Sequence, residues 1–217
     1  MMNRFSGNFI AAGIIAAFLT LSCSSAGEFV PREGDLAFVL AGESAFSGAI
    51  TAATASQDSL KFDHVAIIGV EDGVPYVVEA AGQGVVRRTW SEFLASAPSV
   101  GGRPGIVVKR VTADFPVHES VLAAESHVGE PYDWYYLPDN GRMYCSELVY
   151  ESFRYQDGSP VFSAYPMNFR DADGEMPAFW TELFASLGEP VPEGMPGTNP
   201  SDMSKEPVLQ EVHRYFR

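Results

Sequence analysis

The run Tyr144, Cys145, Ser146, Glu147, Leu148, Val149 follows a turn-rich segment, Pro138 through Asp139, Asn140 and Gly141 to Arg142, and there the pattern of the chain changes. Cys145, Val149 and Phe153 recur at i, i+4 and i+8, with Leu148 on the same side, which is the spacing of a short amphipathic helix packed on a core. Cys145 opens that helix. Unpaired backbone N–H groups at a helix start, together with the helix dipole, favour a thiolate and so a nucleophile. The competing reading is a free cysteine that fills space in the core. The rest of the chain has to decide between them.

Residues 1–22 carry one charge, Arg4, and an apolar run from Phe9 to Leu21 that is too short to span a bilayer comfortably. This is the pattern of a secretory signal peptide. Ser22 before Cys23 resembles the lipobox of bacterial lipoproteins, although Thr20 stands where Leu is usual. The expectation is a lipoprotein signal over 1–22, lipid attachment at Cys23, a small and polar tether over 23–33, and one domain over 34–217. The protein would then sit in the cell envelope, held to the membrane by its N-terminal lipid. Otherwise Cys23 is an ordinary residue of the signal. The chain has two cysteines, so an acylated Cys23 leaves Cys145 without an intramolecular partner in a compartment that favours disulfides. A lone exported thiol points to chemistry. The formal net charge of −14 argues against nucleic acid as a partner, and the acidic residues are interspersed, as on a solvated surface.

Gly34 and Asp35 introduce an apolar strand, Leu36 to Leu40, and the Ala, Ser and Thr-rich segment from Gly42 to Gln57 reads as a short helix through Phe46 and Ile50 followed by a loop. Phe62 to Gly69 is a strand with apolar residues at both parities, hence buried on both faces. Asp72-Gly73 is a two-residue hairpin signal, and Tyr76 to Ala81 is the returning strand. With that turn, Glu71 faces Val74, and counting back along the ladder sets Ala66 opposite Glu79. His64 is then diagonal to Glu79 on the same face, about 7–8 Å away at Cα. A shift of two residues would make them direct partners, whereas a slip of one would put them on opposite faces. Alone, His64 reads as a core histidine and Glu79 as an edge carboxylate facing water. Together on one apolar hairpin they read as an oriented base, because a buried ionised Glu is costly unless paired.

Val85 to Thr89 continues as a strand, and Thr89 with Glu92 forms a capping box for a helix through Leu94. Ile106 to Val111 is a further strand. Pro116, at a first helical position, starts a helix ending before Gly129, and its His118 and His127 are given no catalytic role. Pro177 begins an amphipathic helix bearing Phe179, Trp180, Leu183, Phe184 and Leu187, ended by Gly188. Pro190 to Pro200 reads as a loop, and Val208 to Phe216 as a last strand.

Cys145, His64 and Glu79 supply a nucleophile, a base and a group to hold the base in its useful tautomer. Backbone N–H groups at the helix start can hold an oxyanion. With one available cysteine, no His pair at i, i+4 and no close Cys pair, the chain lacks the spacing of a metal site, and no cofactor is expected. Gly34-Asp35 with Leu36 to Val39, then Phe46, Ser47, Ala49, Ile50, Ala53 and Thr54, then Asp63-His64-Val65, Val78-Glu79-Ala80, the Tyr144 to Val149 block and the tail Gly194 to Pro200 resemble the circularly permuted NlpC/P60 cysteine hydrolases of the YiiX/YebB type. The resemblance spans nearly all of the mature chain.

It implies an α+β, circularly permuted papain-like fold, an antiparallel sheet packed with helices in which the His strand precedes the Cys helix. Cys145 would be nucleophile, His64 base and Glu79 the orienting group. Three functions stay open: cleavage of an amide in cell-wall peptide, lipid acyl hydrolysis or transfer, and non-catalytic envelope binding. For the second, Phe179, Trp180 and Phe184 would line an apolar groove, if they are not simply core. Asp35 and Tyr144 flank the expected site as substrate contacts, although Asp35 also reads as a turn cap and Tyr144 as packing beside the helix.

Overall fold

The computed structural model describes residues 29–54 and 60–217, so the expected signal peptide, Cys23 and most of the tether lie outside the described residues. The chain runs β1 (Leu36–Leu40), α1 (Ala45–Ala53), β2 (Phe62–Glu71), β3 (Val74–Ala81), β4 (Gly84–Thr89), α2 (Trp90–Ser96), β5 (Ser99–Val100), β6 (Arg103–Pro104) and β7 (Ile106–Val111). It continues with α3 (Val117–Ser126), α4 (Cys145–Ser152), β8 (Tyr165–Pro166), α5 (Ala178–Leu187), β9 (Pro196–Gly197), α6 (Pro200–Met203) and β10 (Leu209–Arg214).

Six strands form one antiparallel sheet in the order β10-β7-β1-β2-β3-β4. The central hairpin has the register that the Asp72-Gly73 turn dictates. Both residues take positive φ, 51° and 79°, as a turn matching the strand twist requires. The ladder then runs from Glu71 opposite Val74 to Ile67 opposite Val78. β4 returns alongside β3 through Gly82-Gln83, with Glu79 facing Val86.

Alternation sorts the strand residues between two cores. Leu36, Phe38, Val65, Ile67, Val78 and Val107 pack toward the layer that holds α4, where Leu148, Val149 and Phe153 are buried. Ala37, Ala66, Ile68, Val77 and Val108 pack on the other face with Trp90 and Phe93 of α2. Each fully buried aliphatic or aromatic side chain of this kind contributes roughly 1.5–3 kcal/mol. An α+β architecture, one antiparallel sheet covered by helices, follows from this order.

The helix boundaries follow their caps. Ser44 accepts from the Ser47 N–H at the start of α1, Thr89 and Glu92 form the expected capping box on α2, and Gly188 ends α5 in the left-handed conformation. Pro116, expected as the first helical residue, is instead the cap before Val117. The segment from Pro190 to Pro200, expected as a loop, contains β9, and α6 starts at its end. β5–β6 and β8–β9 are ribbons of two residues a side, too short to leave a periodic signal.

α6 is joined to the start of β2 by a reciprocal pair of bonds. Ser201 Oγ donates to the Phe62 carbonyl and accepts from the Phe62 N–H, both at 2.8 Å. Replacing it by Ala strands two buried backbone groups, each of which costs about 1–3 kcal/mol unpaired. Ser201→Ala is therefore expected to lower unfolding free energy by at least about 1 kcal/mol, read as a drop in urea midpoint at unchanged slope.

Candidate active site

Cys145 is the first residue of α4, behind the extended cap Tyr144, and is 4% exposed. The loop that delivers it is shaped by Asp133, whose fully buried carboxylate accepts from the N–H groups of Tyr135 and Leu137 and from Asn140 Nδ2 at 2.9–3.0 Å. Backbone bonds from Asp133 N to Met143 O and from Met143 N to Pro131 O close its base. Cys145 is a free thiol.

His64 reaches this helix from a distorted part of the sheet. Val39 pairs with His64, but Leu40 pairs with Phe62, so Asp63 is an extra residue that forms a bulge beside the histidine. A bulge raises local twist and re-aims neighbouring side chains. Asp63 is held by the Gly42 N–H, which its carboxylate accepts at 3.0 Å. His64 Nε2 pairs with Glu79 Oε2, and Cys145 acts on the same imidazole by hydrogen bonding and charge. Glu79 is 2% exposed, and its other oxygen, Oε1, forms an ion pair with Arg88 Nε. The Phe93 ring lies 6.4 Å from the imidazole.

Burial is the largest single influence on His64 and opposes its charge, but hydrogen bonds and charge from Cys145 and Glu79 outweigh it. The imidazole is pushed up to about 10. Burial likewise disfavours ionised Glu79, yet His64 and Arg88 together hold it below the usual carboxylate range. The arrangement is an imidazolium clamped between a sulfur and a carboxylate. It can deliver a proton to a leaving group and recover one from water.

Glu147, two residues beyond Cys145, accepts from the Tyr144 N–H at 3.2 Å. Burial, opposed by that bond and reinforced by the charges of Asp133, Glu151 and Asp139, pushes its carboxyl up to about 8.

A cavity of about 260 Å³ opens at Cys145. Tyr132, Tyr136, Tyr144, Met167 and Trp180 contribute much of its largely apolar wall. Tyr144 stands at the cavity, its ring in the wall and its hydroxyl accepting from the Thr198 N–H at 3.0 Å. Asp35 does not reach the site. It has no exposed surface, and its carboxylate is taken by a two-point pairing with Arg110 and by the Arg32 N–H, so the turn-capping alternative describes it. Of the expected groove residues Trp180 alone lines the cavity, while Phe184 is core and Phe179 packs on Phe46. His118 and His127 pair with Glu33 and Glu130, away from Cys145.

The model of the permuted papain-like amidase enzymes of the YaeF/YiiX family matches residues 30–213. The chain belongs to that family. It is 25% identical over 185 residues to the uncharacterized protein YiiX of Escherichia coli strain K12, covering 84% of this chain and 86% of the relative. A crystal structure described as that of metalloprotein YiiX from Escherichia coli O157:H7 superposes with a TM-score of 0.68 at 25% identity, covering 87% of this chain and all of the other. The protein is accordingly a cysteine hydrolase of the amidase type.

The donor set does not fit a resident metal. Among the described residues no three His, Cys, Asp or Glu side chains converge, and His64 Nε2 is already engaged by Glu79. Sequence reasoning missed Arg88, Tyr132 and Tyr136. Arg88 was accessible: a Gly82-Gln83 turn sets Val86 opposite Glu79 and Arg88 diagonal to it on the same face. The two tyrosines sit in an aperiodic loop and left no signal.

Two outcomes follow for this amidase. In Cys145→Ala the imidazole keeps Glu79 but loses both influences of the sulfur, so the His64 midpoint, followed by histidine NMR, should fall well below about 10. Glu147 is raised in the folded state from an ordinary value of 4.5 to about 8. Its contribution to stability is complete below about pH 4.5 and is lost as pH rises through about 8, because the unfolded chain gives up the proton first. Glu147→Gln keeps an acceptor for Tyr144 N, so its stability relative to wild type, from urea unfolding, should increase between pH 5 and pH 8.

Proposed function

We propose that the protein is an extracytoplasmic amide hydrolase of the cell envelope, with Cys145 as nucleophile, His64 as acid and base, and Glu79 as the group that orients His64. The observation that carries this is the continuous chain from Glu79 through the imidazole to a sulfur at the mouth of an apolar cavity. Membership of a permuted papain-like amidase family supports the reaction class.

In this reading the Cys145 thiolate attacks the amide carbonyl, forming a C–S bond and a tetrahedral oxyanion at the N-terminal end of α4. The C–N bond breaks as imidazolium His64 gives its proton to the departing amine. Neutral His64 then takes a proton from water, the hydroxide adds to the thioester, and the C–S bond breaks to release the acid. Residues 1–22 act as a lipoprotein signal and Cys23 carries the membrane anchor, which places the domain beside cell-wall peptide as substrate. The resemblance of the Asp63-His64-Val65 and Tyr144 to Val149 stretches to NlpC/P60 hydrolases points the same way. A metal is given no step, since the side chains around Cys145 are committed to one another.

One observation favours a second substrate class. The cavity at Cys145 is lined mainly by apolar side chains, as a lipid acyl chain would require, and acyl hydrolysis or transfer uses the same thioester chemistry.

The full chain and its Cys145→Ala and His64→Ala variants should be incubated with peptidoglycan and with acyl-ester lipids. Release of wall fragments by wild type, reduced at least about a thousandfold in either variant, is the expected result. Turnover of acyl esters alone selects the second substrate class. The proton donor is lost only as His64 deprotonates, so the rate should hold through pH 8 and fall near pH 10 rather than near the ordinary histidine value of 6.5.

A further inference from the structure

Glu79 is nearly excluded from water and is ionised between two partners from different strands. His64 of β2 takes Oε2, and Arg88 of β4 takes Oε1. A carboxylate with only one oxygen engaged can rotate about its last bond and exchange which oxygen faces the imidazole. With both engaged it cannot. Arg88 is itself restrained: Nη2 donates to Ser96 Oγ at 3.0 Å, and the guanidinium lies over the Phe93 ring at 5.1 Å to the centroid. Both anchors belong to α2, the helix capped by Thr89 and Glu92 immediately after β4.

We propose that Arg88 is a positioning residue of the amidase, whose guanidinium fixes the orientation and the charge of Glu79 and, through Glu79, the ring of His64. The proposal rests on the reading of His64 as acid and base. Arg88 touches neither Cys145 nor the cavity wall, so it acts only through Glu79. Phe93 completes the assembly, one ring against both the imidazole and the guanidinium. Arginine suits the task better than lysine, because its planar guanidinium lies in ion-pair contact with Glu79 at Nε while Nη2 donates to Ser96.

The charged groups that act on Glu79 are His64 and Arg88, with Cys145 behind His64. Loss of the arginine charge leaves burial, which raises the carboxyl, opposed by His64 alone. The Glu79 midpoint must therefore rise. An opposite charge in contact moves a carboxylate by roughly 1–3 units, and the partial exposure of Arg88 places this case at the lower end.

The test uses the full chain with Arg88→Met, which keeps the stem over Phe93 without the charge, and Arg88→Lys, which restores charge without the fork. Glu79 is followed by carboxyl carbon NMR, assigned through Glu79→Gln, and Cys145 by its rate of alkylation against pH. The expected result is a Glu79 midpoint about one unit higher in Arg88→Met, largely recovered in Arg88→Lys, with alkylation in Arg88→Met slowed at the acid end of the profile. Arg88→Gln gives the same reading if the Met variant does not fold. A Glu79 midpoint unmoved in a folded neutral variant overturns the proposal. A moved midpoint with no amide or ester turned over by wild type sustains the hold of Arg88 on Glu79 but overturns the hydrolase reading, and with it the positioning role.

Discussion

A carboxylate buried in a sheet must be paired, and the architecture around the site answers that one demand. An unpaired ion in such a place costs several kcal/mol, far more than one strand–strand contact returns. Glu79 is 2% exposed, and the cations that pair it come from the strands on either side. β2 must therefore be in register with β3, and β3 with β4, at one position. A one-residue slip in either ladder would turn His64 or Arg88 to the other face and strand the carboxylate. The charge that serves the chemistry also penalises the wrong fold.

The sheet and the helical layer divide the work. The hairpin provides an imidazole held at Nε2 by Glu79, and α4 provides a sulfur at a helix start, where backbone N–H groups lack intrahelical partners. These meet at the bulge of Asp63, where β2 departs from regular pairing with β1. By alternation His64 belongs with Ala66 and Ile68 on the α2 face, while Cys145 belongs to the opposite core. The bulge reconciles those placements. Chain order is immaterial to such a constellation, so a histidine strand that precedes the cysteine helix forms the same contacts as the reverse order.

How much of this was legible follows from the range of each signal. Asp72-Gly73 sets the central register because positive φ at two successive residues admits few others, and that turn lies within ten residues of both His64 and Glu79. The i, i+4, i+8 spacing from Cys145 to Phe153 is equally local, and all three side chains are buried. Asp35 illustrates the limit. Its position before β1 marks a polar residue at a strand end, but its partner Arg110 lies 75 residues away on β7, joined through a pairing that no local turn announces. The cavity wall is assembled from Tyr132, Tyr136, Met167 and Trp180, drawn from loops and one helix with no shared period. Such a surface exists only after the sheet has placed its connections.

The start of α4 sets a buried carboxyl beside its cysteine. Cys145 and Glu147 both lie in its first turn, where the dipole and free N–H groups stabilise negative charge. Burial opposes a carboxylate there, so Glu147 keeps its proton up to about pH 8 while still accepting from the Tyr144 N–H. Asp133 beside it keeps its place by a different route, with three donors on its two oxygens. At neutral pH the helix terminus is thus left to the sulfur, with the raised imidazole of His64 beside it.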